Sequence, residues 1–176
     1  MTRYVAFLRA VNVGKRRVAM AQLRSVFEDL GHRGVWTFLN SGNVIFTATG
    51  RRASLAGPIE RGLQEAFGFE VRTLLRTAAE VGRLAAREPF ATDPPGGTHM
   101  VVLLRDALSP EQAKAVESLS TPRERLVADG TEVHWHIDGT LMDSRLTDRN
   151  WKVLGDQPST NRNHTMLVKL AAKLED

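Results

Sequence analysis

A proline- and glycine-rich break over residues 93–97, Asp-Pro-Pro-Gly-Gly, most constrains what this chain can fold into. It separates residues 1–92 from residues 98–176, and strand and helix patterns follow one another in a similar order on both sides. A chain of 176 residues fits one domain, or two small subdomains that share a core. We therefore predict a single compact α+β unit made of two subdomains, 1–92 and 98–176, joined by this linker.

The first half reads as strand, helix, two strands, helix and strand, which is the ferredoxin-like βαββαβ order. Apolar residues run almost unbroken within residues 3–11, as in a buried strand, and recur at helical spacing from Met20 to Leu30. Gly31 then stands where a helix often ends in a left-handed backbone. Further elements are predicted as strands at 35–39, 44–46 and 71–75, and as helices at 54–67 and from Thr77 to Ala85.

The second half repeats much of this order. Ser109 and Pro110 form a typical helix start, and Asp129-Gly130 is a strong hairpin signal. The polar stretch 159–165 is interpreted as the lead into a final helix, with Ser, Thr or Asn as its cap. The other elements are predicted as strands at 100–104, around Leu126 and at 133–137, and as helices at 144–154 and 163–174.

The chain contains no cysteine, which excludes a disulfide framework, a thiolate zinc site, an iron–sulfur cluster and a cysteine nucleophile. The apolar run near the N-terminus is short and is interrupted by Arg9, so it does not read as a signal peptide. No apolar stretch approaches the roughly 20 residues that span a bilayer. We expect a soluble cytoplasmic protein without a membrane partner.

The net charge of +4 is unevenly distributed. Residues 1–88 contain 14 Lys or Arg and 7 Asp or Glu, whereas residues 89–176 contain 10 basic and 13 acidic residues. A basic half favours an anionic partner such as a phosphate, a nucleotide or a nucleic acid. The alternative is that arginine, which outnumbers lysine 19 to 5, is simply the preferred surface residue.

Two polar segments are candidate anion sites. Residues 12–17, Asn-Val-Gly-Lys-Arg-Arg, follow a strand and precede a helix, where backbone amides and a helix N-terminus can hold a phosphate. They lack the glycine spacing and the Lys-Ser/Thr end of a P-loop, so an NTPase is not predicted. The segment 159–165 places Arg, Asn and His at a predicted helix start. Either segment can also be an ordinary exposed loop or helix cap.

Other motifs carry weaker signals. The turn at 41–43, Ser-Gly-Asn, suits either a binding turn or a hairpin that needs a positive φ. His134 and His136 lie on one strand face, but spacing places no third metal ligand, so no metal site is predicted. We interpret them as a solvent-facing strand edge with Trp135 turned inward. The sequence contains no Gly-x-Ser-x-Gly nucleophile elbow and no recognisable set of residues for general acid–base catalysis. An enzyme is therefore neither predicted nor excluded. No cofactor is predicted.

With these residues assembled, the chain resembles the uncharacterised bacterial family DUF1697, a domain of unknown function. The resemblance covers nearly the whole chain, in order, through Leu8-Arg9-Ala10-Val11-Asn12-Val13-Gly14, the Met20/Leu23 helix, Ser41-Gly42-Asn43-Val44, Phe67-Gly68, Arg76-Thr77, Glu88-Pro89-Phe90, and Arg162-Asn163 with Lys169-Leu170. The family usually has glycine in place of Ala10 and tryptophan in place of His164. The resemblance implies a ferredoxin-like α+β fold and supplies no activity, substrate or cofactor.

The matching polar residues lie at strand ends, turns and a helix start, so we expect them to converge on one pocket between the halves. The candidate ligand-binding residues are Arg9, Asn12, Gly14, Lys15, Ser41, Asn43, Arg162, Asn163 and His164. The alternative is that they form hydrogen bonds with buried backbone N–H and C=O groups at the ends of strands and helices, and so hold the two halves together.

The leading functional hypothesis is a binding protein for a small phosphorylated or nucleotide-like anion. A nucleic-acid-binding module is one alternative, although no strand carries paired aromatics and aromatic content is only 6%. The others are an enzyme with a polar Arg/Asn/His site and an interaction scaffold that uses an exposed strand edge. The sequence predicts neither the ligand nor the oligomeric state.

Overall fold

Two four-stranded antiparallel sheets, one in each half of the chain, organise the computed structural model. It describes residues 1–40, 42–90 and 96–175. The chain divides into two compact units, Met1–Gly82 (unit 1) and Arg83–Asp176 (unit 2). Residues 93–95 of the predicted linker lie outside the described residues, and the division into subdomains 1–92 and 98–176 stays a prediction.

Unit 1 has the predicted ferredoxin-like order, with its strands arranged β2-β3-β1-β4 across the sheet. This arrangement confirms the expected α+β class. Its elements are β1 (Thr2–Leu8), α1 (Met20–Asp29), β2 (Arg33–Thr37), β3 (Asn43–Ala48), α2 (Arg52–Phe67) and β4 (Thr73–Thr77), and α3 (Ala78–Ala86) follows.

The core of unit 1 lies between its sheet and the helices α1 and α2. Tyr4, Ala6 and Leu8 alternate along β1 and pack in one cluster with apolar residues of both helices, among them Phe27 and Leu63. The residues between them on β1, Val5 and Phe7, are also fully buried. The central strand is therefore buried on both faces, which explains why its sequence is an unbroken apolar run and not an alternation.

The end of α1 confirms the role predicted for Gly31. This residue has φ +82°, and its N–H donates to the carbonyl of Glu28 at 2.9 Å. The N–H of His32 donates to the carbonyl of Phe27 at 3.2 Å. These two bonds form a Schellman motif, which ends the helix at a glycine with a left-handed backbone.

Unit 2 repeats the topology, with strand order β6-β7-β5-β8. Together with unit 1 it confirms the prediction of two ferredoxin-like halves with added helices. Its elements are β5 (Thr98–Leu104), α4 (Pro110–Glu117), β6 (Glu124–Asp129), β7 (Glu132–Ile137), α5 (Asp148–Trp151), β8 (Ser159–Asn163) and α6 (His164–Glu175), with 3-10 turns at Leu141–Asp143 and Lys152–Leu154.

The fourth strand of unit 2 corrects the sequence interpretation, which treated residues 159–165 as a helix lead. Ser159–Asn163 form β8, and Arg162 and Thr160 pair with Val101 and Leu103 of β5. Because β8 is an edge strand, polar residues are tolerated there and no apolar alternation marks it in the sequence. The helix predicted over 144–154 is also wrong in extent, since only Asp148–Trp151 are α-helical.

The helix start predicted at Ser109 is confirmed as a capping box. Its hydroxyl accepts the N–H of Gln112 at 3.1 Å, and the Gln112 side chain accepts the N–H of Ser109 at 3.0 Å. None of the described helices is long and apolar enough to cross a membrane.

Candidate functional site

The segment between β1 and α1 presents four exposed cations. We call residues 9–17 the basic loop; its cations are Arg9, Lys15, Arg16 and Arg17. None of them forms an ion pair with a carboxylate in the described part of the chain. The Arg16 guanidinium lies 4.6 Å from the centroid of the Phe69 ring. The positive charge of the loop is therefore open to solvent.

Asn12 holds the basic loop in shape. Its Nδ2 donates to the carbonyl of Asn40 at 2.8 Å, and its Oδ1 accepts the N–H of Val18 at 2.8 Å. The Arg17 side chain donates to the carbonyl of Gly14, which has φ +63°. Asn12 and Gly14, both predicted as ligand-binding residues, therefore also define the backbone that presents the cations.

Helix α1 begins at Met20, separated from the basic loop by Val18 and Ala19, and its N-terminus has no side-chain cap. Ala19, which precedes the helix, has no side chain that can accept a hydrogen bond from the first turn, and that turn contains no acidic residue. The helix dipole makes this end positive, and the neighbouring cations add to that potential. The arrangement is electrostatically unfavourable by itself.

Gly42 and Asn43 of the predicted binding turn lie beside the basic loop. Asn43 is buried, its Nδ2 donates to the carbonyl of Phe38 at 2.8 Å, and its own carbonyl accepts the N–H of Phe38 at 2.9 Å. Gly42 has φ +77°, and a Cβ there would lie 2.5 Å from the Val11 side chain. These contacts hold the β2–β3 hairpin against the loop. Ser41 lies outside the described residues.

Three histidines and an arginine of unit 2 meet on one face of its sheet. The register of β6, β7 and β5 places Arg125 opposite His136 and His136 opposite His99, and the ring of His164 stacks on His99. We call these four residues the histidine row. Phe90 packs against His99 and His136, and the Arg125 guanidinium lies 5.3 Å from the Phe90 ring centroid.

His134 lies next to this row and is fully buried at 0% exposure. Its Nδ1 is 3.0 Å from Nε2 of His99, and its Nε2 has no hydrogen-bond partner among the described residues. Burial lowers the pKa of His99 to about 3 and that of His134 to about 4. Both rings are therefore neutral near pH 7, with one donating and the other accepting.

The interpretation of His134 and His136 as a solvent-facing edge is wrong. Their strand, β7, lies between β6 and β5, so it has a hydrogen-bonded neighbour on each side. Trp135 does turn into the apolar core of unit 2, as expected. Within residues 1–40, 42–90 and 96–175, no three His, Cys, Asp or Glu side chains are placed to hold a metal ion.

The predicted site residues of unit 2 lie at the junction of β8 and α6. Arg162 is buried on the strand and donates to Thr160 Oγ1 at 2.9 Å and to the Asn161 carbonyl at 2.7 Å. Burial lowers its pKa to about 10, which leaves it charged at neutral pH. Asn163 Oδ1 accepts the N–H of Thr165 at 2.8 Å, which is the capping role expected for an asparagine there.

The structure thus brings Arg9, Asn12, Gly14 and Lys15 together in the basic loop, with Asn43 in the adjacent hairpin, and it leaves Arg162, Asn163 and His164 consecutive in unit 2. The convergence of both groups on one pocket stays a prediction. Sequence reasoning missed Phe90 and Arg125 as neighbours of the histidines. Only the strand register, which a single sequence does not reveal, joins them.

Comparisons with known proteins point to one family. The family described as "Protein of unknown function (DUF1697)" matches residues 1–134 of the chain. Among solved structures, a conserved bacterial protein from Streptococcus pneumoniae is similar, with 25% sequence identity and a TM-score of 0.75. That match covers 100% of this chain and 99% of the other. No curated protein matches the sequence significantly.

Proposed function

This chain belongs to the DUF1697 family of proteins of unknown function, and on that premise we propose that it binds a small phosphorylated or nucleotide-like anion at the basic loop. One observation carries the proposal. Exposed cations without carboxylate partners, among them Arg9, Lys15 and Arg17, lie in the segment that leads into the uncapped N-terminus of α1. An anion there gains charge-assisted hydrogen bonds and relieves the repulsion between the cations and the helix dipole.

The preformed shape of the loop supports binding of a small ligand. The two side-chain hydrogen bonds of Asn12 fix residues 12 and 18 relative to the neighbouring hairpin. A loop that is already ordered loses less conformational entropy when a ligand binds. Residues 9–19 contain no Ser, Thr, Tyr, His, Asp or Glu side chain, so we propose binding and not catalysis.

The burial of the sheet argues for a small anion over a nucleic acid. Ferredoxin-like RNA-binding domains stack bases on aromatic side chains of an exposed sheet face. In unit 1, Val5, Phe7 and Ile45 lie on the face opposite α1 and α2, and all three are fully buried. That face offers no stacking surface along its central strands.

The test is calorimetric titration with inorganic phosphate and adenosine monophosphate at low and moderate salt, on the wild type and on Lys15→Ala and Arg17→Ala. Each substitution is expected to weaken binding about 5- to 10-fold, as for loss of one charge-assisted hydrogen bond. Arg24→Ala, which removes an exposed arginine of α1 outside the basic loop, is the matched control. Binding should also raise the melting temperature, by roughly 5–10 °C at about 100 times the dissociation constant.

Three outcomes contradict the proposal. The first is the absence of any binding. The second is that Arg24→Ala weakens anion binding as much as Lys15→Ala and Arg17→Ala do. The net charge of the protein, and not the basic loop, would then account for the effect. The third is affinity for every polyanion, including a short oligonucleotide, that moderate salt abolishes, because that dependence is typical of non-specific electrostatics.

A further inference from the structure

Leu39 is unusual both in its backbone conformation and in the exposure of its side chain. It has φ +58°, a backbone conformation that leucine rarely adopts, and its large apolar side chain is 56% exposed. Glycine or asparagine would remove both costs. Departures of this kind persist where the surrounding structure enforces them, and they concentrate at functional sites.

Leu39 stands beside the proposed anion site. Its neighbour Asn40 accepts the hydrogen bond from the side chain of Asn12, so the β2–β3 hairpin and the basic loop are joined there. Val13, next to Asn12, is 63% exposed. Each partner of the Asn12–Asn40 hydrogen bond therefore has one exposed large apolar residue next to it in the chain.

The other large apolar residues that are exposed in the described part of unit 1 have ordinary explanations. Among its described residues, Met1 is the first residue of the chain, and Leu30 is the C-cap of α1 at 37% exposure. Val13 and Leu39 have no such explanation. Isolated apolar residues on a surface need none, but these two lie in the two loops that the Asn12–Asn40 hydrogen bond joins, and one of these loops carries the unpaired cations.

We propose that the ligand of the basic loop is a phosphate monoester with an apolar organic group, and that Val13 and Leu39 contact that group. This inference rests on the proposed function, because it assumes that the phosphate occupies the basic loop. The cations then bind the phosphate while the two apolar side chains lose their exposure to water, and the strained conformation of Leu39 is what presents its side chain.

The test compares inorganic phosphate with phenyl phosphate in the wild type and in Leu39→Asn. Asparagine tolerates φ near +60°, so this variant keeps the loop conformation and removes the apolar surface. We expect phenyl phosphate to bind at least about tenfold more tightly than inorganic phosphate in the wild type. In Leu39→Asn that ratio should fall to about two or less, with affinity for inorganic phosphate unchanged.

Met142→Asn is the matched control, because Met142 is an apolar residue of unit 2 that is 91% exposed. It should preserve the ratio. Equal affinity for the two probes in the wild type, or an unchanged ratio in Leu39→Asn, overturns this inference and leaves the proposed function standing. Failure of inorganic phosphate to bind overturns both. Selective binding to phosphatidylglycerol vesicles over phenyl phosphate, lost in Leu39→Asn, would assign the surface to lipid and also overturn it.

Discussion

The ring of His164 stacks on the ring of His99, with the two centroids 4.3 Å apart and the planes inclined by 16°. His164 is the first residue of α6, and its Nε2 lies 3.2 Å from the carbonyl of Leu84, so the imidazole both packs and donates a hydrogen bond. The resemblance to the family implies tryptophan at this position, a larger ring that also carries one N–H donor. Imidazole and indole can therefore both provide an aromatic ring and an N–H donor at this position.

His164→Ala is therefore expected to destabilise the fold by about 2–4 kcal/mol, through the lost packing and the lost hydrogen bond to the Leu84 carbonyl. His164→Trp should cost less, because it restores an aromatic surface and a donor. Urea unfolding of both variants measures the difference. Equal destabilisation by the two substitutions would contradict a shared role for imidazole and indole.

The stability of the protein should fall in mild acid because of His99 and His134. Their folded-state pKa values, about 3 and about 4, lie below the ordinary value of 6.5. The stabilisation from the neutral rings is therefore complete above pH 6.5 and is lost as the pH falls from there toward 4. Each histidine contributes at most about 1.4 kcal/mol per pH unit, and partial solvent exposure of His99 reduces its share.

Denaturant unfolding between pH 4.5 and 7.5 measures this dependence. His99→Asn should flatten the curve, because it removes one of the two depressed pKa values. A curve with the same slope in the variant would show that other groups control the acid response.

Ala10 holds a backbone conformation suited to glycine, with φ +56°. Relief of this strain is worth about 1–2 kcal/mol, and the greater entropy of an unfolded glycine offsets about 0.4–1 kcal/mol of it. We expect Ala10→Gly to stabilise the protein by roughly 0.5–1 kcal/mol. Ala66→Gly, at an exposed position of α2, is the control and should destabilise it by roughly 0.5–1 kcal/mol. A lower free energy of unfolding in Ala10→Gly than in the wild type would contradict the claim that the backbone of Ala10 is strained.

Glu124 organises the start of β6 from a buried position. Its carboxylate accepts hydrogen bonds from Trp135 Nε1 at 3.0 Å, from Ser144 Oγ at 2.9 Å and from the N–H of Arg145. Glu124→Ala leaves these donors unpaired and should cost about 3 kcal/mol or more. Glu124→Gln should cost less, because one acceptor oxygen remains.

Thermal unfolding tests this prediction. The matched control is Glu117→Ala, since Glu117 is exposed and accepts one backbone N–H, that of Ala128, at 3.0 Å. Equal destabilisation by Glu124→Ala and Glu117→Ala would contradict a special role for the buried carboxylate of Glu124.

Local patterns in the sequence were sufficient for much of the fold. Gly31 and Ser109 marked helix ends through backbone rules that act over four or five residues, and both assignments agree with the structure. The apolar runs on β1 and β5 identified the central strands because burial on both faces leaves a continuous signal. The ferredoxin-like order of both halves followed from these elements.

Features that depend on distant pairings required the tertiary structure. The edge strand β8 carries no apolar alternation and is defined by its hydrogen bonds to β5. Asn12 became a loop anchor only through Asn40, which lies 28 residues further along the chain. The histidine row depends on strand register, since a shift by one residue would turn His99 and His136 to the other face of the sheet. The sequence alone therefore determined the order of the elements, because helices and strands follow from near neighbours. The tertiary structure decided which side chains meet, because those contacts form between residues far apart in the chain.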